Sequence, residues 1–212
     1  MSMLERIEEC GVVAAIRADS SESLIDVAKA LEAGGAKFIE ITMSTPNALK
    51  VIEALADTMG DRIGVGVGTV LDPETARAAI LAGAEYIVTP TLRLSVIEMA
   101  KRYSKLVFPG AFTPTEILTA WEAGADMVKV FPADRLGPSY MKDLHGPLPQ
   151  IKLMPTGGVT IENCGDYIKN GAAAVTAATC IAPKKAIAEG NWDRITELAR
   201  QMIGNIRAAR GQ

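Results

Sequence analysis

Histidine and cysteine are scarce in this sequence, which limits the ligands that a metal ion would need. His145 is the only histidine, and the three cysteines show neither CxxC spacing nor an even count. This composition favours a reduced, cytoplasmic compartment over a disulfide framework. It also predicts that the protein has no metal site and no resident cofactor.

The sequence also lacks a long basic run and a long apolar run. No basic run is longer than the pair Lys184-Lys185 and the formal net charge is −3, so we do not expect a nucleic-acid surface. No apolar stretch reaches the roughly 18 residues of a membrane-spanning helix, and the charged, amphipathic start lacks the apolar segment of a signal peptide. We therefore expect a soluble, cytoplasmic protein whose partners are small molecules, with no membrane contact.

Apolar segments alternate with amphipathic ones along the whole chain. Hydrophobic residues make up 49% of the 212 residues and aromatic ones only 5%, which predicts a core of aliphatic side chains in one domain, residues 1–212. After a short N-terminal helix at 2–10, eight strands alternate with helices, and Ser20 or Ser21 is the expected cap of the second helix. The predicted strands are 11–16, 36–42, 63–68, 85–89, 105–108, 126–131, 151–154 and 172–177. The last two helices are predicted at 160–169 and, as a single closing helix, from about residue 185.

Eight such units predict an α/β fold of the (β/α)8 TIM-barrel type. The main rival is an open, doubly wound sheet, which normally has a glycine-rich nucleotide turn after an early strand. The segment Gly64-Val-Gly-Val-Gly68 superficially resembles such a turn, but its glycines alternate with valines inside a strand. There they make room in a crowded interior.

A repeated Gly-Ala pair supports the barrel. It occurs at residues 35, 83, 124 and 171, at spacings of 48, 41 and 47 residues, and each time it ends a helix and begins a strand. The residues five positions after each glycine occupy equivalent places, and they are Glu40, Val88, Lys129 and Thr176. Glu40 and Lys129 should therefore both point inward near the carboxyl ends of the strands, where barrel active sites lie.

Lys129 is the main candidate for a catalytic residue. It interrupts an apolar strand, and loss of water there favours the neutral amine, which can attack a carbonyl to form a Schiff base. Glu40 would then be its acid/base partner. Two non-catalytic alternatives are a lysine that reaches solvent from the strand end and a buried ion pair with Glu40. Thr69, at the end of the third strand, either donates to a substrate carboxylate or only terminates its strand.

Five motifs together resemble the 2-keto-3-deoxy-6-phosphogluconate (KDPG) and 4-hydroxy-2-oxoglutarate (KHG) aldolases. They are Ile39-Glu40-Ile41-Thr42, Gly66-Val67-Gly68-Thr69-Val70, Pro109-Gly110-Ala111-Phe112-Thr113-Pro114-Thr115-Glu116, Val128-Lys129-Val130-Phe131-Pro132-Ala133 and Pro155-Thr156-Gly157-Gly158-Val159. The resemblance covers nearly the whole chain. It implies a metal-independent class I aldolase on a (β/α)8 barrel, usually a homotrimer. It further implies that Lys129 forms the Schiff base, Glu40 is the general acid/base and Thr69 helps to hold the pyruvate carboxylate.

The remaining predicted site residues bind substrate. Thr156, Gly157 and Gly158 form a turn that we expect to open a helix, where backbone N–H groups and the helix N-terminus receive a phosphate. The family's second turn, Gly-x-Gly-Ser or similar, is replaced here by Thr176-Ala177-Ala178-Thr179, so phosphate binding is expected to be weak, altered or replaced. We nevertheless assign Ala178 and Thr179 to the substrate site, together with Pro90 and Phe131.

The carboxylate end of the substrate also departs from the family pattern. Ser44 stands where many relatives carry an arginine for the keto-acid carboxylate, and Arg17, at the end of the first strand, is the candidate replacement, unless it forms a structural ion pair. Three functions remain open: cleavage of KDPG or 4-hydroxy-2-oxoglutarate, cleavage of an unphosphorylated 2-keto-3-deoxy acid, and a phosphosugar isomerase or decarboxylase on a similar barrel. A binding module without catalysis is the non-enzymatic alternative.

Overall fold

The computed structural model describes residues 1–17 and 23–212 of the chain. The predicted caps Ser20 and Ser21 lie outside the described residues. The strands are β1 Val12–Ile16, β2 Phe38–Thr42, β3 Gly64–Gly68, β4 Tyr86–Val88, β5 Leu106–Phe108, β6 Gly110–Ala111, β7 Val128–Val130, β8 Leu153–Pro155 and β9 Val175–Ala177. The α-helices are α1 Met3–Cys10, α2 Leu24–Ala33, α3 Ala48–Met59, α4 Pro73–Leu81, α5 Leu94–Arg102, α6 Pro114–Glu122, α7 Ser139–His145, α8 Cys164–Lys169, α9 Lys184–Ala188 and α10 Trp192–Ala209.

The strands form a curled, parallel α/β arrangement. Six of them pair in the order β5-β4-β3-β2-β1-β9, and the other three pair in the order β6-β7-β8. Hydrogen bonds also connect the two sheets: Asp126 N, before β7, donates to Val107 O of β5 at 3.1 Å, and Ala173 N, before β9, donates to Leu153 O of β8 at 3.0 Å. Thr156 and Thr176 add an isolated parallel bridge between the ends of β8 and β9. The strands therefore bring their carboxyl ends to one side of the molecule.

The repeated Gly-Ala pair has one local structure at all four positions. The glycines at 35, 83, 124 and 171 have φ between 97° and 103°, a region that favours glycine over every other residue. In each case the N–H of the following alanine donates to the carbonyl five residues earlier, which closes the end of the helix. The repeat is thus a helix stop that sets the start of the next strand.

An apolar cluster fills the interior below the strand ends. Its largest members are Phe38, Tyr86, Phe108 and Met154, all essentially inaccessible to solvent. Ile7 of α1 belongs to the same cluster, so the N-terminal helix packs against the amino-terminal side of the strands. Ser2 caps this helix in a capping box with Glu5. The interior is therefore closed on the side opposite the strand ends.

Several predicted boundaries are wrong. The described residues contain nine strands rather than eight: the predicted strand 105–108 corresponds to β5, and the short strand β6 follows after Pro109, which has no N–H to donate to a sheet. The predicted helix 160–169 begins only at Cys164, and the single closing helix is in fact α9 and α10, separated at Gly190 with φ 63°. Among the described residues, no helix is long and apolar enough to cross a membrane.

Candidate active site

A cavity of about 660 Å³ lies at the carboxyl ends of the strands. It is lined by Ala15, Arg17, Glu40, Thr42, Thr69, Pro90, Lys129, Phe131, Thr156, Gly157, Gly158, Val159, Thr160, Thr176, Ala178, Thr179, Cys180 and Lys184. This volume is in the range of small-molecule sites in proteins. The structure thus brings together every predicted site residue except Ser44.

Lys129 and Glu40 reach this cavity from two different strands. Lys129 is the middle residue of β7 and is 6% exposed, and Glu40 is the middle residue of β2 and is 1% exposed. The ammonium nitrogen of Lys129 lies 5.2 Å from the centroid of the Phe131 ring, over one wall of the cavity. An amine and a carboxyl group therefore face the same space in a setting with little water.

The buried position of Glu40 disfavours the charged form of its carboxyl group. Burial raises its pKa above the ordinary value of 4.5, and the positive charges of Lys129 and then Arg17 act in the opposite direction. Its Oε2 atom has no hydrogen-bond partner within the part of the chain that the structure describes. A carboxyl group with these properties takes up and releases its proton at a higher pH than an exposed glutamate, which suits it for acid and base roles.

The glycines of β3 provide the space that Glu40 occupies. A Cβ atom on Gly68 would lie 1.7 Å from Glu40 Oε1, and one on Gly66 would lie 2.1 Å from the Tyr86 ring. Neither position tolerates a side chain, because these contacts are far below van der Waals separation. The prediction that the Gly-Val-Gly-Val-Gly strand makes room in the interior agrees with these distances.

Thr69 enters the cavity from a strained backbone conformation. It follows directly on β3 with φ 61°, which is rare for a β-branched residue. Strain of this kind persists where the surrounding structure holds it, and it is concentrated at functional sites. Its position in the lining is compatible with the predicted contact to a substrate carboxylate.

The turn after β8 presents backbone amides rather than a helix end. Gly157 and Gly158 have φ of 88° and 71°, and neither amide donates a hydrogen bond to any described residue. A helix does not begin here, since Thr160 and Asn163 form a turn before α8. The predicted helix N-terminus for a phosphate is therefore wrong, and the amides of the turn remain available for an anion.

Ser44 is the predicted site residue that the structure leaves out of the cavity. It is exposed, and its hydroxyl lies 2.9 Å from the hydroxyl of Thr42. Thr42 lines the cavity instead, and its Oγ1 also donates to Ile16 O at 3.3 Å. Ser44 therefore contacts a residue that lines the cavity but does not line the cavity itself.

Sequence reasoning missed several lining residues, and Lys184 is the most consequential. It is the first residue of α9 and brings a second ammonium group to the cavity. The pair Lys184-Lys185 after Pro183 was its only sequence signal. Thr160 and Cys180 were also missed, because both lie in turns without a periodic pattern.

The other lysine next to a strand does not belong to the site. Lys152 forms an ion pair with Glu8 of α1, on the amino-terminal side. Among residues 1–17 and 23–212, no group of three or more histidine, cysteine, aspartate or glutamate side chains is placed to hold a metal ion.

The chain is similar to proteins of known activity along most of its length. The family model of the KDPG and KHG aldolases matches residues 3–198. A 2-dehydro-3-deoxy-phosphogluconate aldolase of Pseudomonas aeruginosa is 33% identical over 196 residues, which are 92% of this chain and 89% of that protein. A 2-dehydro-3-deoxy-6-phosphogalactonate aldolase of Escherichia coli is 40% identical over 153 residues, 72% of this chain and 74% of that protein.

A solved structure shows that the similarity extends to the fold. It is the KDPG aldolase of Legionella pneumophila with pyruvate captured as a covalent carbinolamine intermediate, with a TM-score of 0.87 and 30% identity. The similarity covers 94% of this chain and 97% of that one. The resemblance drawn from the five motifs is confirmed: the chain belongs to the family of KDPG and KHG aldolases.

Proposed function

We propose that this protein is a class I aldolase that cleaves a 2-keto-3-deoxy sugar acid phosphate such as KDPG, or 4-hydroxy-2-oxoglutarate. The products are pyruvate and an aldehyde, glyceraldehyde 3-phosphate or glyoxylate. The observation that carries the proposal is the convergence of Lys129 and Glu40 from β7 and β2 on one cavity, in a chain that belongs to this family. Membership of the family makes the enzyme a lyase.

In the first half of the reaction, Lys129 Nζ adds to the C2 ketone of the substrate. Glu40 supplies the proton with which the carbinolamine loses water, and a protonated imine results. The C3–C4 bond then breaks, and its electron pair moves into the imine to give an enamine. Glu40, now a carboxylate, accepts the proton of the C4 hydroxyl as the aldehyde leaves.

In the second half, the enamine takes a proton at C3 and returns to the imine. Addition of water to C2 then releases pyruvate and restores the amine of Lys129. A carboxyl group that changes its protonation state twice in each turnover needs a pKa near the working pH. The raised pKa of Glu40 suits it for this role.

We assign the two ends of the substrate to opposite parts of the lining. Arg17 and Thr69 contact the keto-acid carboxylate, next to Pro90 and Phe131. The amides of Gly157 and Gly158, with Thr156, Ala178, Thr179 and Lys184, receive the distal end of the aldehyde half. An unphosphorylated 2-keto-3-deoxy acid is the alternative substrate, since alanines stand in the second turn where the family has glycines.

The finer features of the fold and assembly are part of the same proposal. We propose that the two sheets form one closed (β/α)8 barrel in a single domain, with β5 and β6 sharing one strand position. The hydrogen bonds from Asp126 to Val107 and from Ala173 to Leu153 support this closure. A homotrimer in the cytoplasm is the assembly and location that the family resemblance implies.

Borohydride trapping tests the proposed nucleophile. Reduction in the presence of pyruvate should attach a pyruvyl adduct to the peptide that contains Lys129, as located by mass spectrometry. Lys129→Arg should abolish the adduct, whereas Lys152→Arg, the same change in the lysine that pairs with Glu8, should retain it. No adduct at saturating pyruvate would refute the Schiff-base mechanism.

Metal independence is tested separately from the nucleophile. Dialysis against a chelator should leave pyruvate release from 4-hydroxy-2-oxo acids unchanged, because an imine rather than a metal ion withdraws the electrons. Loss of activity on chelation, with recovery on adding a divalent cation, would contradict this part of the proposal.

A further inference from the structure

Tyr86 carries a polar atom that the proposed mechanism does not use. It lies on β4, it is 0% exposed, and its ring packs against Phe108 with the centroids 5.6 Å apart. Its hydroxyl has no hydrogen-bond partner within the part of the chain that the structure describes. A buried hydroxyl without a partner is costly, so its presence in an otherwise apolar layer requires an explanation.

The strand register places this hydroxyl beside Glu40. Glu40 pairs with Gly66, and Gly66 pairs with Tyr86, so the three residues form one row across β2, β3 and β4. The Cζ atom of Tyr86 lies 2.3 Å from where a Cβ atom of Gly66 would be, so the phenol ring covers that glycine. The ring therefore points across β3 toward the strand that carries Glu40.

The carboxyl group of Glu40 covers the next inward-facing position of the same strand. Its Oε1 lies 1.7 Å from where a Cβ atom of Gly68 would be. Gly66 and Gly68 are two residues apart on one face, which is roughly 6.6 Å along a strand. The phenol ring and the carboxyl group thus lie over neighbouring positions of β3, and no direct hydrogen bond joins the Tyr86 hydroxyl to Glu40 in the described structure.

We propose that Tyr86 is a positioning residue for Glu40, acting through a buried water that accepts from the Tyr86 hydroxyl and donates to Glu40 Oε2. Two buried polar atoms without protein partners are the setting in which an ordered water is expected. The inference rests on the proposed role of Glu40 as acid and base, and it adds a residue that controls its orientation and proton affinity.

The bridging water should change the pKa of Glu40 in a definite direction. A hydrogen bond to the charged carboxylate favours that form, so it lowers the pKa of Glu40 against the effect of burial. Among the described residues, the charged groups that act on Glu40 are Lys129 and Arg17. Burial, and then the charges of Glu40, Glu85 and Cys10, raise the pKa of Tyr86, which keeps the hydroxyl protonated and able to donate.

The Tyr86→Phe variant tests the bridge, because it keeps the ring over Gly66 and removes only the hydroxyl. Two readouts apply: the infrared band of the protonated Glu40 carboxyl, isolated by difference against Glu40→Gln, and the acidic limb of the kcat/KM profile. Both should move to higher pH by about half a unit to one unit. Tyr103→Phe, on the exposed end of α5, should move neither.

A second variant shifts the same quantity in the opposite direction. 3-Fluorotyrosine placed at position 86 is a stronger donor than tyrosine, so both readouts should move to lower pH. Unchanged carboxyl titration in both variants, with normal melting curves, would overturn the inference. The infrared titration does not require turnover, so this result is distinguishable from a failure of the aldolase proposal, which would appear as absent pyruvate trapping in the unmodified protein.

Discussion

Arg17 contributes a positive charge to the cavity but is neither the proposed nucleophile nor its acid/base partner. It lowers the pKa of Glu40, so Arg17→Gln should raise that pKa further and move the acidic limb of kcat/KM to higher pH. Loss of a charge-assisted hydrogen bond to the keto-acid carboxylate should also raise KM by roughly tenfold or more.

The control for Arg17 is Arg102→Gln, whose guanidinium pairs with Glu98 on the outer face of α5. It should change neither the pH profile nor KM. If Arg17→Gln altered KM without moving the acidic limb, the electrostatic link between Arg17 and Glu40 would be wrong.

Lys184 and Lys185 are adjacent lysines with different surroundings. Lys184 lines the cavity, whereas Lys185 is 85% exposed and lies 3.9 Å from Glu189. Lys184→Gln should raise KM for a phosphorylated keto-deoxy acid by about tenfold and leave kcat within a factor of about two, because the lost contact is distant from C2.

Lys185→Gln is the matched control and should behave as the unmodified enzyme. A substrate with a neutral tail should not distinguish Lys184→Gln from the parent. Equal KM effects on phosphorylated and neutral substrates would contradict a role for Lys184 in anion recognition.

Single residues were predictable where they broke a pattern. Lys129 and Glu40 are conspicuous because a charge inside an apolar strand has few explanations, and the structure places both in one cavity. Lys184 begins a helix of only five residues and Thr160 lies in the turn before α8, so neither position leaves a periodic signal. Tyr86 was missed for the opposite reason, since an aromatic residue in a strand fits an ordinary core.

At the scale of elements, β3 is the strand whose composition follows from its neighbours. Its three glycines face the rings of Phe38 and Tyr86 and the carboxyl group of Glu40. Gly68→Ala should therefore displace the carboxyl group of Glu40. We expect kcat to fall by roughly a hundredfold, because a misplacement of about 1 Å in a catalytic group can cost that much.

Gly204→Ala is the matched control for Gly68→Ala. Gly204 lies inside α10, and a Cβ atom there would meet nothing within 4 Å. Chemical denaturation should show a gain of about 0.5–1 kcal/mol, because alanine restricts the unfolded chain and favours the helix, with activity unchanged. A loss of activity in Gly204→Ala, or full activity in Gly68→Ala, would contradict the steric argument.

Elements were predictable in kind and order, but less so at their ends. The Gly-Ala repeat marked four helix ends because only glycine adopts the required φ without strain. The short strand β6 after Pro109 was not predicted, and Gly190 was not recognised as the break between α9 and α10. The late start of α8 follows from the local bonds between Thr160 and Asn163, which compete with a helical turn.

For the whole molecule, polarity changes along the axis of the curled sheet. Phe38, Phe108 and Met154 fill its lower interior, and α1 packs beneath them. The charged groups lie one layer above, next to the cavity. This arrangement places Glu40 at the boundary between an apolar interior and the substrate space. Burial of its charged carboxylate therefore has a free-energy cost that lowers the stability of the fold.

That cost should appear in global stability as a dependence on pH. Below about pH 4.5, Glu40 is protonated in both the folded and the unfolded chain. As the pH rises, the unfolded chain releases the proton first, because burial raises the pKa of Glu40 in the folded protein. The stability of the parent protein should therefore fall relative to Glu40→Gln until the pH passes the folded pKa, and the difference should then stay constant.

Urea unfolding of both proteins from about pH 4.5 to about pH 8 measures this difference. The comparison isolates the ionisation of Glu40. The substitution by glutamine also changes stability by a constant amount, including its effect on the surroundings of Lys129. This amount does not vary with pH as long as the charge of Lys129 does not change. Glu98→Gln, on the exposed face of α5, shows what a glutamate in water contributes. The prediction would be contradicted if the two stability curves were parallel, or if the free energy of unfolding of the parent rose relative to that of Glu40→Gln as the pH increased. Either result would show that the folded protein does not disfavour the Glu40 carboxylate.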